Sequence, residues 1–176
     1  MRLVAVPAWL CVLVVSGTGC AFGSSQPNDA TADPSTVINV DGVIGGIHAL
    51  EKRTEVEHVL GTGAVLSTVI RHPKTGTVTI QRVHYATSRL TVVYDQGGGQ
   101  PQMVYAVFTN SPRYHTSSGL RVGSTLAQAR RTPGIHCYYQ VKYFACQGGV
   151  GYEKPIVSFT VRSGKVVRVF MAAVAD

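Results

Sequence analysis

Four cysteines and six histidines are the residues of this chain best equipped for chemistry, and their spacing separates them. Cys11 lies inside an apolar run, and Cys20 follows the small residues Ser16, Gly17, Thr18 and Gly19. Cys137 and Cys146 flank Tyr-Tyr-Gln-Val-Lys-Tyr-Phe-Ala, which alternates as two short strands with a turn near residues 140–142. In an oxidising compartment that spacing predicts a disulfide across a hairpin. A metal would need more ligands, and only His136 adjoins the pair. The histidines are scattered, and only His58 has a carboxylate neighbour, Glu57. His136 beside Cys137 would make a thiol site only without the disulfide. No phosphate-binding loop, nucleophile elbow or H-E-x-x-H helix occurs. The sparse acids form no recognisable acid/base pair. The expectation is a protein that is no enzyme and has no metal or cofactor. A secreted hydrolase with catalytic residues dispersed along the chain is the rival.

Cysteine chemistry depends on compartment, so the chain start matters. Residues 3–15 form an apolar run of 13 behind Arg2. A membrane span needs about 20, so the run reads as a secretory signal peptide over residues 1–19. Gly17-Thr18-Gly19-Cys20 resembles a bacterial lipobox; Gly19 fits that pattern, and Gly17 stands where it prefers Leu. The resemblance implies a lipidated Cys20 as the mature N-terminus, holding the protein on the outer face of the cell membrane. Cleavage after Ala21 would instead release a soluble secreted chain. The polar, Pro-bearing tract up to Ile38 reads as a tether, so residues 20–38 are expected to be the lipid-attachment Cys and linker. Anchoring of this kind is stable with two or more acyl chains.

The whole chain of 176 residues is one domain or two small ones by length. It is 45% hydrophobic and only 14% charged, which supports a core and excludes wholesale disorder. Sixteen Lys and Arg against nine Asp and Glu give +7, and the leader removes only Arg2 of these. No basic run exceeds two residues, and none interleaves with aromatics, so nucleic acid is not the expected partner. Anionic lipid or cell-wall polymer would suit the charge, as would a plainly solvated basic surface.

The elements that must position these residues repeat a plan. Thr54 and Glu57 form a capping-box pattern before Val56, Val59 and Leu60, with Gly61 as a stop. Thr125 and Gln128 repeat it before Pro133-Gly134. Strands are predicted after the first helix at 64–71, 77–86, 89–95 and 103–109, the last pair joined through a Gly-rich loop. After the second they are predicted at 135–140, 143–147, 155–162 and 165–174, with Ser163-Gly164 as a hairpin turn. Val157, Phe159 and Val161 alternate with Ser158, Thr160 and Arg162, predicting one buried and one wet face. The expected fold class is α+β: two short helix plus antiparallel β-meander units, residues 39–112 and 113–176, forming one compact domain.

The stretch Tyr114–Arg130, with its Gly-apolar-x-Val-Gly-Ser-Thr turn, resembles one recurring in small exported bacterial proteins, and Ile47–Gly61 resembles a related start. With the helix–meander plan, the chain is similar to the small lipoproteins of the outer-membrane β-barrel assembly machine and to β-lactamase inhibitor protein. The resemblance implies protein–protein contact without catalysis. The partner is expected to be an envelope or secreted protein; a soluble secreted inhibitor is the alternative to an anchored scaffold. Tyr138, Tyr139, Tyr143 and Tyr152 around the hairpin, with Gly97, Gly98 and Gly99, are the candidate partner-binding rim, since aromatics anchor interfaces.

Replacing Cys20 with Ala is expected to abolish a diacylglyceryl-sized mass increase and detergent partitioning. Intact-mass measurement on protein from its native host checks this; an unmodified chain starting at Phe22 in the medium would refute lipidation.

Overall fold

Runs of Val, Ile, Thr, Tyr and Phe with a two-residue period build strands, and this chain is mostly strand. The computed structural model describes residues 36–74, 76–140, 143–149 and 154–173. The expected signal peptide, Cys20, the tether up to residue 35 and Tyr152 lie outside these residues. Short strands β1 (Ile38–Asn39), β2 (Val43–Ile44) and β3 (Ile47–His48) precede helix α1 (Arg53–Leu60). Then come β4 (Ala64–Arg71), β5 (Val78–Tyr85), β6 (Leu90–Gly97) and β7 (Met103–Thr109). Helix α2 (Leu126–Arg131) leads into β8 (His136–Gln140), β9 (Tyr143–Gly148), β10 (Ile156–Arg162) and β11 (Lys165–Ala172).

All strand pairs are antiparallel. β1-β2-β3 form a small sheet, and the other eight form one sheet in the order β4-β5-β6-β7-β11-β10-β9-β8. Each helix therefore precedes four consecutive strands, and the two sets meet where β7 pairs with β11. The protein is α+β, with the sheet outweighing the helices.

The second helix starts as its sequence predicts: Gln128 N donates to Thr125 Oγ1 at 3.2 Å, and Thr125 N donates to Gln128 Oε1 at 2.8 Å. It ends at Arg131, just ahead of Thr132-Pro133. The first helix starts earlier than expected. Glu55, not Glu57, closes the turn, accepting from Lys52 N at 3.1 Å, so Thr54 lies inside the helix. Glu57 instead pairs with Arg53 at 2.7 Å. Of the expected apolar face only Val56 is buried; Val59 is 60% exposed, because so short a helix rests on the sheet by one turn. Gly61, at φ 78°, ends α1 as expected.

Pairing register decides which residues share a face. One row crosses seven strands as Tyr85, Leu90, Thr109, Val169, Phe159, Cys146 and Cys137. This is the face the helices cover: Arg53 of α1 bonds Gln81 at 2.7 Å and sits 5.5 Å from the Tyr94 ring centroid, while Arg130 of α2 lies over Phe144. The Tyr85 and Tyr94 hydroxyls share a 2.7 Å hydrogen bond inside the core. Burial raises the pKa of both above the ordinary phenol value.

Three features depart from the sequence reading. The small sheet was not expected; its Ile38, Ile44 and Ile47 are buried. Val37 and Ile38, assigned to the tether, are ordered, and Ile38 N donates to His115 O at 2.8 Å. Ser158, expected on a wet face, is 1% exposed because its strand is internal and Phe170 stands beside it.

Replacing Thr125 with Ala is expected to cost about 1 kcal/mol. Reducing the Cys137–Cys146 bond, which closes a short hairpin, is expected to cost about 2–3 kcal/mol. Denaturant titration of each form checks both.

Candidate functional site on the open face of the sheet

Residues alternating with the core rows point to the other face, which no helix covers among the described residues. There a row crosses all eight strands: Ala64, His84, Thr91, Phe108, Phe170, Ser158, Gln147 and His136. Phe108 and Phe170 stand opposite each other at the β7–β11 junction, with ring centroids 5.9 Å apart and planes 24° apart. The Arg82 guanidinium lies 5.6 Å from the Phe108 centroid, a cation–π arrangement. Arg168 Nε donates to Asn110 Oδ1 at 3.4 Å.

The same register puts Arg71, Arg162 and Lys165 on this face. Asp95 is the only acid in the eight strands. Among the described residues, none of these cations has a carboxylate within ion-pairing distance. Burial raises the pKa of the Asp95 carboxyl above its ordinary value. Two hollows flank Phe108. One of about 480 Å³ is lined by Leu66, Arg82, His84 and Arg168 among others. The other, of about 830 Å³, is lined by Val78, Ile80, Val93, Asp95 and Tyr105 among others. Such an arrangement can take apolar side chains into hollows and hold carboxylates over arginines.

The structure divides the predicted rim. Cys137 and Cys146 are bonded, on directly paired positions 3.9 Å apart at Cα. Tyr138, 40% exposed, and Tyr143 take open-face positions. Tyr139 is on the helix side, edge-on to Phe144 with centroids 5.2 Å apart. Gly97, Gly98 and Gly99 lie at the end of the sheet opposite the β8–β9 turn. β6 is four strands from β9, or about 19 Å, so the glycine loop and the tyrosine hairpin turn stand at separate places on the sheet. Gly98 and Gly99 have φ of 57° and 77° and close a turn in which Gln100 N bonds Gly97 O at 2.9 Å. That turn requires glycine for its geometry.

Phe108, Phe170, Arg82 and Arg168 went unnoticed in the sequence. Their signal is alternation: Arg82 and His84 occupy the positions between Gln81, Val83 and Tyr85. Which strands stand side by side is not contained in that period.

Fold and site together define a class, a mainly antiparallel α+β protein with one helix-covered face and one open, aromatic and cationic face. Comparison with protein-family models, curated proteins and solved structures found no match to the chain. Among the described residues, no three His, Cys, Asp or Glu side chains gather to hold a metal, and no helix is long and apolar enough to cross a membrane.

Asp95 gives a pH test. Its folded pKa lies above the unfolded one, so the folded state holds the proton longer and stability falls as pH rises through that window. Asp95→Asn is therefore expected to raise the thermal midpoint at pH 7, with the gain vanishing in acid once Asp95 is protonated in both states. Melting both proteins across pH checks it.

Proposed function

We propose that this protein is an exported, lipid-anchored cell-envelope module without catalytic activity, whose open sheet face docks onto an acidic surface of a protein partner. The observation that carries the reading is the stacked Phe108–Phe170 pair, set among Arg82, Arg168 and two hollows on a face where one acid faces several cations. Aromatics and arginines are the residues that most often dominate binding energy. Their lack of carboxylate partners favours an acidic occupant through charge complementarity. Exposed Val69, on the same face of edge strand β4, extends the apolar area.

Two further points support the reading. The order of one helix and four strands, occurring twice, fits a duplicated unit over residues 39–112 and 113–176, similar in plan to the β-barrel assembly lipoproteins and β-lactamase inhibitor protein. A leader over residues 1–19 with Cys20 directly after it, followed by a polar tract, fits an anchored domain standing off a membrane. Tyr138 and Tyr143 belong to the docking face; Tyr139 belongs to the helix side.

A photo-crosslinking residue placed at Phe170 or Tyr138 in the living host is expected to capture a discrete protein. The same residue at Val59, on the exposed side of α1, is expected not to. Combining Arg82→Glu and Arg168→Glu should weaken capture at least about tenfold, since each buried charge contact is worth about 1.5–3 kcal/mol. Equal crosslinking from Val59, or capture indifferent to the charge reversal, would refute the reading.

A further inference from the structure

The outermost strand of the large sheet, β4, pairs with β5 on one side and with no strand on the other among the described residues. All eight of its residues are exposed. Val65, Leu66, Val69 and Ile70 are 50%, 58%, 49% and 58% exposed. Among the described residues, no turn or loop backbone bonds to residues 64–71. Such an edge carries a row of N–H and C=O groups that another strand satisfies in full. Natural edges are ordinarily blunted by Lys, Pro, shortness or a covering element. β4 has no Lys and no Pro, and its one charge, Arg71, is its last residue. The opposite edge, β8, is only five residues long.

The register of β4 against β5 assigns each side chain to a face. Val65, Thr68 and Ile70 take the helix side, and Ala64, Ser67, Val69 and Arg71 take the open side. The register shifts between Val65 and Ser67, so Leu66 and Ser67 together oppose Arg82 in a bulge. Leu66 lines the open-face hollow with Arg82 and His84. The strand therefore reads alike from either end about Thr68. On the helix side the order is Val65, Thr68, Ile70: aliphatic, hydroxyl, aliphatic. On the open side the Leu66–Ser67 bulge stands one step before Thr68, and Val69 stands one step after it.

We infer that β4 pairs antiparallel with β4 of a second copy of this chain about a two-fold axis at Thr68, joining two eight-stranded sheets edge to edge. Val65 then stands opposite Ile70 of the copy, Thr68 opposite Thr68, and Val69 opposite the Leu66–Ser67 bulge. Every residue meets its counterpart on the same face, and aliphatic and Thr–Thr cross-strand pairs stabilise a ladder. A second copy carries this match necessarily, because both edges have one sequence. Charge agrees with the pairing, since Arg71 falls opposite Ala64. Six ladder steps, or about 20 Å, separate the two Arg71 positions, well past the screening length of about 8 Å. A two-fold contact closes on itself, so the product is a dimer, where β4 meeting β8 would propagate. The pairing leaves Phe108 and Phe170, three or more strands inward, uncovered. It goes beyond the docking reading, and either can stand without the other.

Sedimentation of the full chain over a dilution series is expected to show a reversible monomer–dimer equilibrium, since one strand ladder is a small interface. Leu66→Lys combined with Ile70→Lys, one on each face of the exposed edge, should weaken association at least about tenfold. Tyr139→Lys, on β8, should leave it unchanged. Mild oxidation tests the register. Thr68→Cys should give a disulfide-linked dimer above the background of the unsubstituted chain. Val65→Cys alone and Ile70→Cys alone should not, because like positions then lie about 13 Å apart. Mixing those two variants should link one to the other. A chain that stays monomeric at every dilution would overturn the inference and leave the edge to a strand of another protein. So would association indifferent to the two Lys substitutions, or linking by Val65→Cys equal to that by Thr68→Cys. Unchanged circular dichroism of the Lys variant separates loss of pairing from loss of the fold.

Discussion

Four paired positions between β7 and β11 hold this molecule together as one sheet. Thr109 faces Val169, Phe108 faces Phe170, Val107 faces Met171, and Ala106 faces Ala172. Without that ladder the chain would be two four-stranded meanders, each with a raw edge and half a core. With it, Val92, Val107, Met171 and Val157 become one continuous buried row, all of them fully enclosed. The ladder works in both directions across the sheet. Its inward residues unite the core, and its outward pair, Phe108 and Phe170, becomes the centre of the open face.

The two faces obey different electrostatic rules. On the helix side, Arg53 is shared between Glu57, Gln81, Gln102 and the Tyr94 ring, and each of its partners is held in the fold. On the open side, Arg82 and Arg168 have a ring and an amide, and no carboxylate among the described residues. An arginine held by a full set of partners serves stability. One left with uncommitted donors beside aromatic rings gains from desolvation only when something acidic arrives.

Much of the fold was legible in the chain, and the reasons differ by element. α2 was readable because Thr125, Gln128 and Pro133 act locally, within one helical turn. β4 and β7 match their expected ranges, since β-branched runs bounded by Gly and Pro act locally too. α1 was misplaced at its start because Glu55 and Glu57 both offer a carboxylate, and only the tertiary position of Arg53 decides which one caps. β1 to β3 were missed because two-residue strands carry no period. The disulfide was legible from the spacing of Cys137 and Cys146 across a short hairpin. The open aromatic face was not: it is assembled from residues on eight strands, and only the β7–β11 register brings Phe108 to Phe170. The Gly97–Gly99 turn and the Tyr138–Tyr143 hairpin stand apart on the sheet for the same reason, since the order of strands puts four steps between them.

The β7–β11 ladder also sets a timetable. Thr109 and Val169 are sixty residues apart in the chain. Strands β4 to β7 can therefore pair with one another before β11 reaches them. Until it does, β7 presents bare N–H and C=O groups beside Phe108. A β11 from a neighbouring copy offers the same four registers as the chain's own. The seam that unites the molecule is therefore also the place where two growing chains could exchange halves, and the tight Ser163-Gly164 turn, which delivers β11 directly after β10, shortens the time in which they can do so.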